Sequence, residues 1–160
     1  MSIQAETWLA TYPNEAYGIT KEDILAKDLA NPARIDRWKA SILRARAAQD
    51  IQILVAKQAG ETVGYCLVSR KEGEERYVHG LYVRPSAQGR GSGKALLLAA
   101  LAWLGEDAPV SLGVAAYNVP AITLYQKCGF VMVAEPPAPI PPFASGAQMP
   151  VVKMTRPAKS

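Results

Sequence analysis

Histidine and cysteine are scarce in this chain, with one histidine and two cysteines, Cys66 and Cys128, among 160 residues. So few soft ligands exclude a Cys/His zinc pattern, and two cysteines cannot build the disulfide framework of a small secreted domain. The expectation is a pair of reduced, buried thiols and no metal. Long apolar runs are missing as well. The longest, Ala95 to Leu104, is about half of the ~20 residues needed to cross a bilayer. The stretch from Met1 to Gln4 has neither the basic start nor the apolar core of a signal peptide. The chain is therefore expected to be soluble and cytoplasmic, with no membrane partner.

A strong charge bias is also lacking. Eighteen Lys and Arg against fourteen Asp and Glu leave +4, too mild for a dedicated nucleic-acid binder and sufficient for an anionic small ligand. Arg34, Arg37, Lys39, Arg44 and Arg46 fall in one predicted helix, where they form either a solvated face or an anion-binding patch. With 49% hydrophobic residues, the length suits one well-buried domain over 1–160 and is too short for two.

What the chain does have is a glycine loop. Gln88-Gly89-Arg90-Gly91-Ser92-Gly93 follows a predicted strand ending at Arg84-Pro85 and runs into an apolar helix beginning near Lys94. Glycines let the backbone approach a ligand and aim several N–H groups one way, and a helix N-terminus adds roughly +0.5 charge, so the loop suits phosphate. It is not a P-loop, because Gly93-Lys94 is followed by Ala95 and position 88 is Gln. It is not a dinucleotide fingerprint either, because that needs glycine at Lys94 or Leu96.

Around the loop the pattern predicts helices and strands in a definite order. Thr7 to Tyr17 reads as a short helix or turn. Thr20 caps a helix from about 20 to 30, and Asn31-Pro32 starts another that reaches about 48 through Ile35, Trp38, Ile42 and Ala45. From Ile51 the period changes to two, and three antiparallel strands follow, over Ile51 onward, Thr62 to Arg70 and Arg76 to Val83. After the glycine-loop helix, which is apolar nearly all round and so expected to be covered on both sides, come a buried strand Val110 to Ala116 and a helix Asn118 to Lys127. A strand follows from Phe130 to Val133, and a last one from Met149 to Thr155. Between Pro136 and Pro142 five of seven residues are proline, which predicts a stiff extended crossover. The tail from about Pro157 is expected to be mobile. The layout is α/β, with a mixed sheet in which the glycine-loop helix joins a parallel pair of strands.

Three stretches then resemble the GNAT superfamily of N-acetyltransferases: Leu81-Tyr82-Val83-Arg84-Pro85 followed by Gln88-x-x-Gly91-x-Gly93, then Asn118 with Leu124-Tyr125 and Gly129-Phe130, and the element order itself. Tyr12-Pro-Asn-Glu-Ala-Tyr-Gly-Ile-Thr is also similar, more faintly, to the subgroup related to the polyamine acetyltransferase PaiA. The resemblance implies a GNAT fold, a mixed, mostly antiparallel sheet flanked by helices. It also implies acetyl-CoA as co-substrate without a metal, transfer to a primary amine by direct attack on the thioester, and a homodimer. The acceptor is a small molecule such as a polyamine, or else a protein or peptide amine. A non-catalytic acyl-CoA sensor is the alternative, and no nucleic-acid partner is expected.

By the same resemblance, backbone groups of Leu81 and Val83 pair with the pantetheine arm, and Gln88, Gly89, Arg90, Gly91, Ser92, Gly93 and Lys94 hold the pyrophosphate. Asn118 reaches the pantetheine or caps its helix, and Lys127 reaches the phosphates or stays in solvent. Tyr125 donates a proton to the departing thiolate. A backbone N–H near Leu81 meets the oxyanion. Many relatives carry a glutamate just upstream of the Leu-Tyr-Val stretch, and here Tyr77 and Val78 stand in its place. By period two, Tyr77, His79, Leu81 and Val83 share a face, with Glu75 at its outer end. That makes His79 or Tyr77 the candidate base, directly or through water. Glu15, Glu22 and Asp23 are the only acidic cluster in the N-terminal half that could suit a polyamine.

Overall fold

A computed structural model describes residues 2–160. Its helices begin where the sequence supplies caps. Ser2 is extended and its Oγ accepts from the Ala5 N–H, opening α1 (Ile3–Thr11), which therefore starts well before the short helix or turn expected at Thr7. A single 3-10 turn follows at Glu15–Tyr17. The α2 helix (Lys21–Ala26) opens on a capping box in which Thr20 Oγ1 accepts from the Asp23 N–H and Asp23 accepts from the Thr20 N–H. It was expected to reach about residue 30. It ends at Ala26 because Asp28 takes φ 48°, which no right-handed helix continues through. Asn31 caps α3 (Pro32–Ala47).

Three antiparallel strands follow: β1 (Ile51–Gln58), β2 (Glu61–Ser69) and β3 (Arg76–Val83). Then come α4 (Ser92–Leu104), β4 (Val110–Ala115), α5 (Val119–Lys127), β5 (Val131–Met132) and β6 (Val151–Arg156). The sheet runs β1-β2-β3-β4-β6-β5 and is antiparallel except for β3 and β4, the pair joined through α4. That parallel pair is short. Its register covers Arg76↔Val110, Tyr77↔Ser111 and Val78↔Leu112 and then stops, although β3 runs on to Val83 and β4 to Ala115. Beyond Val78 the two strands part, leaving a gap in the middle of the sheet.

The α4 helix lies across β1, β2 and β3 on one face. There Leu97, Ala100 and Leu104 are fully buried, with Cys66, Val68 and Val78 beneath them. Each such leucine contributes about 1.5–3 kcal/mol. The outer side of α4 is not covered as expected, since Ala95, Leu98, Ala99 and Ala102 remain exposed. The α1 and α3 helices cover the other face, against β3 and β1. A second cluster of Ile19, Ile24 and Phe143, backed by Trp8, Tyr12 and Tyr117, fastens the end of the proline-rich crossover to the N-terminal helices. Beside it the Ser145 N–H donates to Asp23 Oδ1 at 3.2 Å. Donors at Thr20 and Ser145 hold the Asp23 carboxyl down at about 2. In the exposed tail the Lys159 N–H donates to Glu106 O at 2.8 Å.

The strands nearest the gap tolerate little change. A Cβ at Gly64 would stand 2.7 Å from Tyr82 O and 3.0 Å from Val83 Cγ2, so the strand opposite would have to move. Gly64→Ala is expected to cost about 1–3 kcal/mol, seen as a lower urea midpoint at unchanged m.

Candidate active site

A cleft of about 700 Å³ opens at the gap between β3 and β4, walled by α1, the glycine loop, the N-terminus of α4 and α5. Its floor is set by the ladder of β3. The Arg84 N–H donates to Val63 O at 2.8 Å, toward β2. Ladder groups alternate sides, so Tyr82 and Gly80 also point to β2, and Leu81 and Val83 point across the gap. The Val83 carbonyl accepts from Gln88 Nε2 (2.9 Å) and Thr7 Oγ1 (3.3 Å). The N–H and C=O of Leu81 and the N–H of Val83 have no strand opposite them.

The loop at the mouth of the cleft is held by its own geometry. Gly89 and Gly91 have φ 76° and 85°, where a side chain is strained, and a Cβ at either would meet no protein atom within 4 Å. The space in front of them is open for a ligand. The Gln88 N–H closes back on Pro85 O at 3.3 Å. From Gly89 through Lys94, no backbone N–H donates to the described residues, and the first that does is Ala95, to Gly91 O at 2.9 Å. The α4 helix thus starts on a glycine with no side-chain cap, and its first-turn donors point out unpaired. Among the described residues no carboxylate lines the cleft, and Lys94 does. Such a site fits a diphosphate.

Of the other residues singled out, Leu81, Val83, Gln88, Gly89, Gly91, Gly93, Asn118 and Tyr125 also line the cleft. Arg90 and Lys127 are exposed and outside its lining, and Ser92 Oγ faces Gln58 Nε2 at 3.2 Å. Asn118 Oδ1 caps α5 by accepting from the Ala121 N–H at 3.4 Å, which leaves its Nδ2 for the cleft. Tyr125 is buried on α5 with its ring edge against Phe130 at 5.8 Å between centroids. Burial, with the nearby Cys66 and Tyr82, pushes its phenol well above the ordinary 10.0. Cys66 is itself fully buried, and burial alone raises its thiol to about 12, so it is no nucleophile.

The expectation that Tyr77, His79, Leu81 and Val83 share a face is corrected by a β-bulge. Val68 pairs with Val78 and Leu67 with Gly80, so His79 is an extra residue in β3. Val78, Leu81 and Val83 therefore face α4, while Tyr77, Gly80 and Tyr82 face the opposite side. His79 belongs with the latter group, its ring 5.1 Å from that of Tyr77 and its Nε2 2.7 Å from Ser69 Oγ. It lines a second cavity, of about 510 Å³, on the α1 and α3 side of the sheet. Desolvation lowers its pKa below 6.5, so the ring is neutral at pH 7. Glu75 is occupied by Ser111 Oγ (2.6 Å) and by Lys153, which also pairs with Glu135. Sequence reasoning missed Thr7, Ala10 and Thr11, the α1 wall of the cleft, and Tyr82, which lines the second cavity. The i, i+3, i+4 spacing of the first three was the available signal.

The family model for the Acetyltransferase (GNAT) family matches residues 6–130, and the chain belongs to that family. The fold agrees. The structure is similar to PaiA N-acetyltransferase from Thermoplasma acidophilum in complex with coenzyme A, at TM-score 0.73 and 20% identity over 98% of this chain and 95% of that one. It is also similar to yncA of Salmonella typhimurium with its cofactor acetyl-CoA, at 0.64 and 21% over 78% and 74%. A third likeness is to the ribosomal-protein-S18-alanine N-acetyltransferase of Escherichia coli, at 0.58 and 23% over 70% and 72%. No curated protein matches the sequence significantly. Among the described residues no helix is long and apolar enough to cross a membrane, and no cluster of three His, Cys, Asp or Glu is placed to hold a metal.

Proposed function

We propose that this chain transfers the acetyl group of acetyl-CoA to a primary amine, by direct attack and without a covalent enzyme intermediate. The row of unpaired N–H groups from Gly89 through Lys94, opening on a cleft whose far wall carries Tyr125, supports this reading most. These groups and Lys94 hold the diphosphate, with Arg90 and Lys127 adding charge from outside the cleft. Leu81 and Val83 pair with the pantetheine arm as an added strand would, and Asn118 Nδ2 donates to the same arm. Acetyl-CoA supplies the activated acyl group.

Three tasks then fall to the protein. A backbone N–H beside Leu81 donates to the carbonyl oxygen as the amine nitrogen bonds to the carbonyl carbon and charge builds on the oxygen. Tyr125 Oη–H gives its proton to the sulfur as the C–S bond breaks. Its raised pKa keeps it protonated at every working pH, and the second proton that the nitrogen loses as the amide forms returns through solvent to the phenolate. The acceptor amine, with pKa about 10.4, arrives mostly as ammonium and must lose a proton first. His79 accepts it through water across the split, with Ser69 fixing the ring. Because a neutral His79 is the active form, kcat/KM falls as pH drops through a value below 6.5. His79→Ala removes that acid limb and about a hundredfold of rate. Two copies of the chain pair in solution, which light scattering at twice the chain mass checks.

The test is thiol release from acetyl-CoA across a panel of amino acids, polyamines, arylalkylamines, aminoglycosides and peptides. Release coupled to N-acetylation of at least one amine supports the reading. Background rates throughout, with CoA still bound tightly, contradict it and leave an acyl-CoA sensor.

A further inference from the structure

We infer that the acceptor is a small primary amine with an aromatic or bulky aliphatic body and a single ammonium group, seated in the cavity on the α1 and α3 side of β3. The inference rests on the acetyltransferase reading above and names the substrate class of that site.

The donor cleft and this second cavity share one wall, because Leu81 and Val83 face the cleft while Gly80 and Tyr82 line the cavity. The wall is only one strand thick, and beyond Val78 no ladder seals it to β4. Gly80 shapes the meeting point, since a Cβ there would lie 2.5 Å from the Tyr82 ring. Only glycine lets that ring lie back along the strand. An amine held in the cavity therefore approaches the gap from the side opposite the cofactor loop.

The cavity lining is mostly apolar and includes Ile3, Ile35, Trp38, Val55, Tyr65 and Tyr82. Trp38 is 41% and Val55 54% exposed, large apolar side chains facing water at the rim that a bound apolar body would cover. Among the described residues no Asp or Glu lines the cavity, and the one permanent charge in its lining is Arg34, whose Nη1 is tied to Lys27 O at 2.7 Å. A polyamine brings several ammonium groups, each needing a carboxylate, and would be repelled by that guanidinium. The acidic residues expected to serve a polyamine are elsewhere. Asp23 is occupied by Thr20 and Ser145, and neither Glu15 nor Glu22 lines either cavity. A monoamine gives up its single charge before it reacts, so only its apolar body needs accommodation.

The experiment compares kcat/KM, by thiol release, for 2-phenylethylamine and tryptamine against putrescine, spermidine and a short peptide with a free amino terminus. The arylalkylamines are expected to lead by at least about tenfold, the scale of one good apolar contact in a specificity pocket. Val55→Asp, at the exposed rim of an edge strand, is expected to lower the arylalkylamine values about tenfold and raise those for spermidine. Trp38→Ala, on the exposed side of α3, is expected to lower them similarly, and in both variants the Kd for acetyl-CoA stays unchanged. Equal or better turnover of spermidine or the peptide by the unaltered protein overturns the inference and leaves the acetyltransferase reading intact. So does arylalkylamine turnover indifferent to both substitutions. Thiol release with none of the amines, CoA still binding, defeats both.

Discussion

Tyr125→Phe is expected to lower kcat by about a hundredfold, the lower part of the range for removing a positioned general acid, while leaving the Kd for CoA unchanged. The substitution removes one oxygen and keeps the ring, so the packing on Phe130 survives. The diphosphate is held by the glycine loop on the opposite wall of the cleft, which Tyr125 does not form. The deficit should shrink with a thioester donor whose thiol is more acidic, because such a sulfur leaves without needing the proton. A burial-raised phenol also makes a specific demand on the pH profile. Tyr125 contributes no alkaline limb below pH 10, since its own pKa lies above 10.0. A steep loss of kcat between pH 8 and 9 that disappears in Tyr125→Phe would contradict the assignment.

Gly91→Asp is expected to raise the Kd for CoA at least about a hundredfold, roughly 2.8 kcal/mol at 1.4 kcal/mol per tenfold. Two effects combine. At φ 85° an L side chain is strained, by roughly 1–2 kcal/mol. The new carboxylate also enters the open space in front of the loop, where it competes for the free donors of Gly89 to Lys94 and repels the diphosphate. The glycine sits at the cap of α4 and its Cβ would touch nothing, so the fold survives and melting shifts by only a few degrees. Gly91→Ala carries the strain without the charge and should fall between. Equal CoA affinity in the glycine and aspartate forms, by calorimetry, would remove the loop from the binding site.

Much of this fold is written in local chemistry. The caps at Thr20 and Asn31, the glycine stop at Gly105 and the period-two runs of β1 to β3 are short-range signals, and the structure follows them. The glycine loop was legible for the same reason, since φ above zero selects glycine at 89 and 91 whatever the rest of the chain does. The departures at the site involve distant partners. Alternation placed His79 beside Leu81, and the bulge in β3 moved it across the sheet. Gly80 was the only local hint, because a glycine inside a strand often marks a bulge. The α1 helix has a weak apolar face of its own, and it gains its footing from Thr7 on Val83 and from the ion pair of Glu6 with Arg84. Apolar composition alone suggested that α4 is enclosed, whereas its alanines and Leu98 lie open. Asp23 looked like part of an acidic cluster and is a structural carboxylate joining α2 to Ser145.

The most direct measurement is a crystal structure with CoA bound. The diphosphate is expected on the N–H groups of Gly89 to Lys94, the pantetheine beside Leu81 and Val83, and the sulfur within hydrogen-bond reach of Tyr125 Oη, about 3–3.5 Å. A diphosphate seated elsewhere, or a sulfur turned away from Tyr125 and the gap between β3 and β4, would contradict the proposed function.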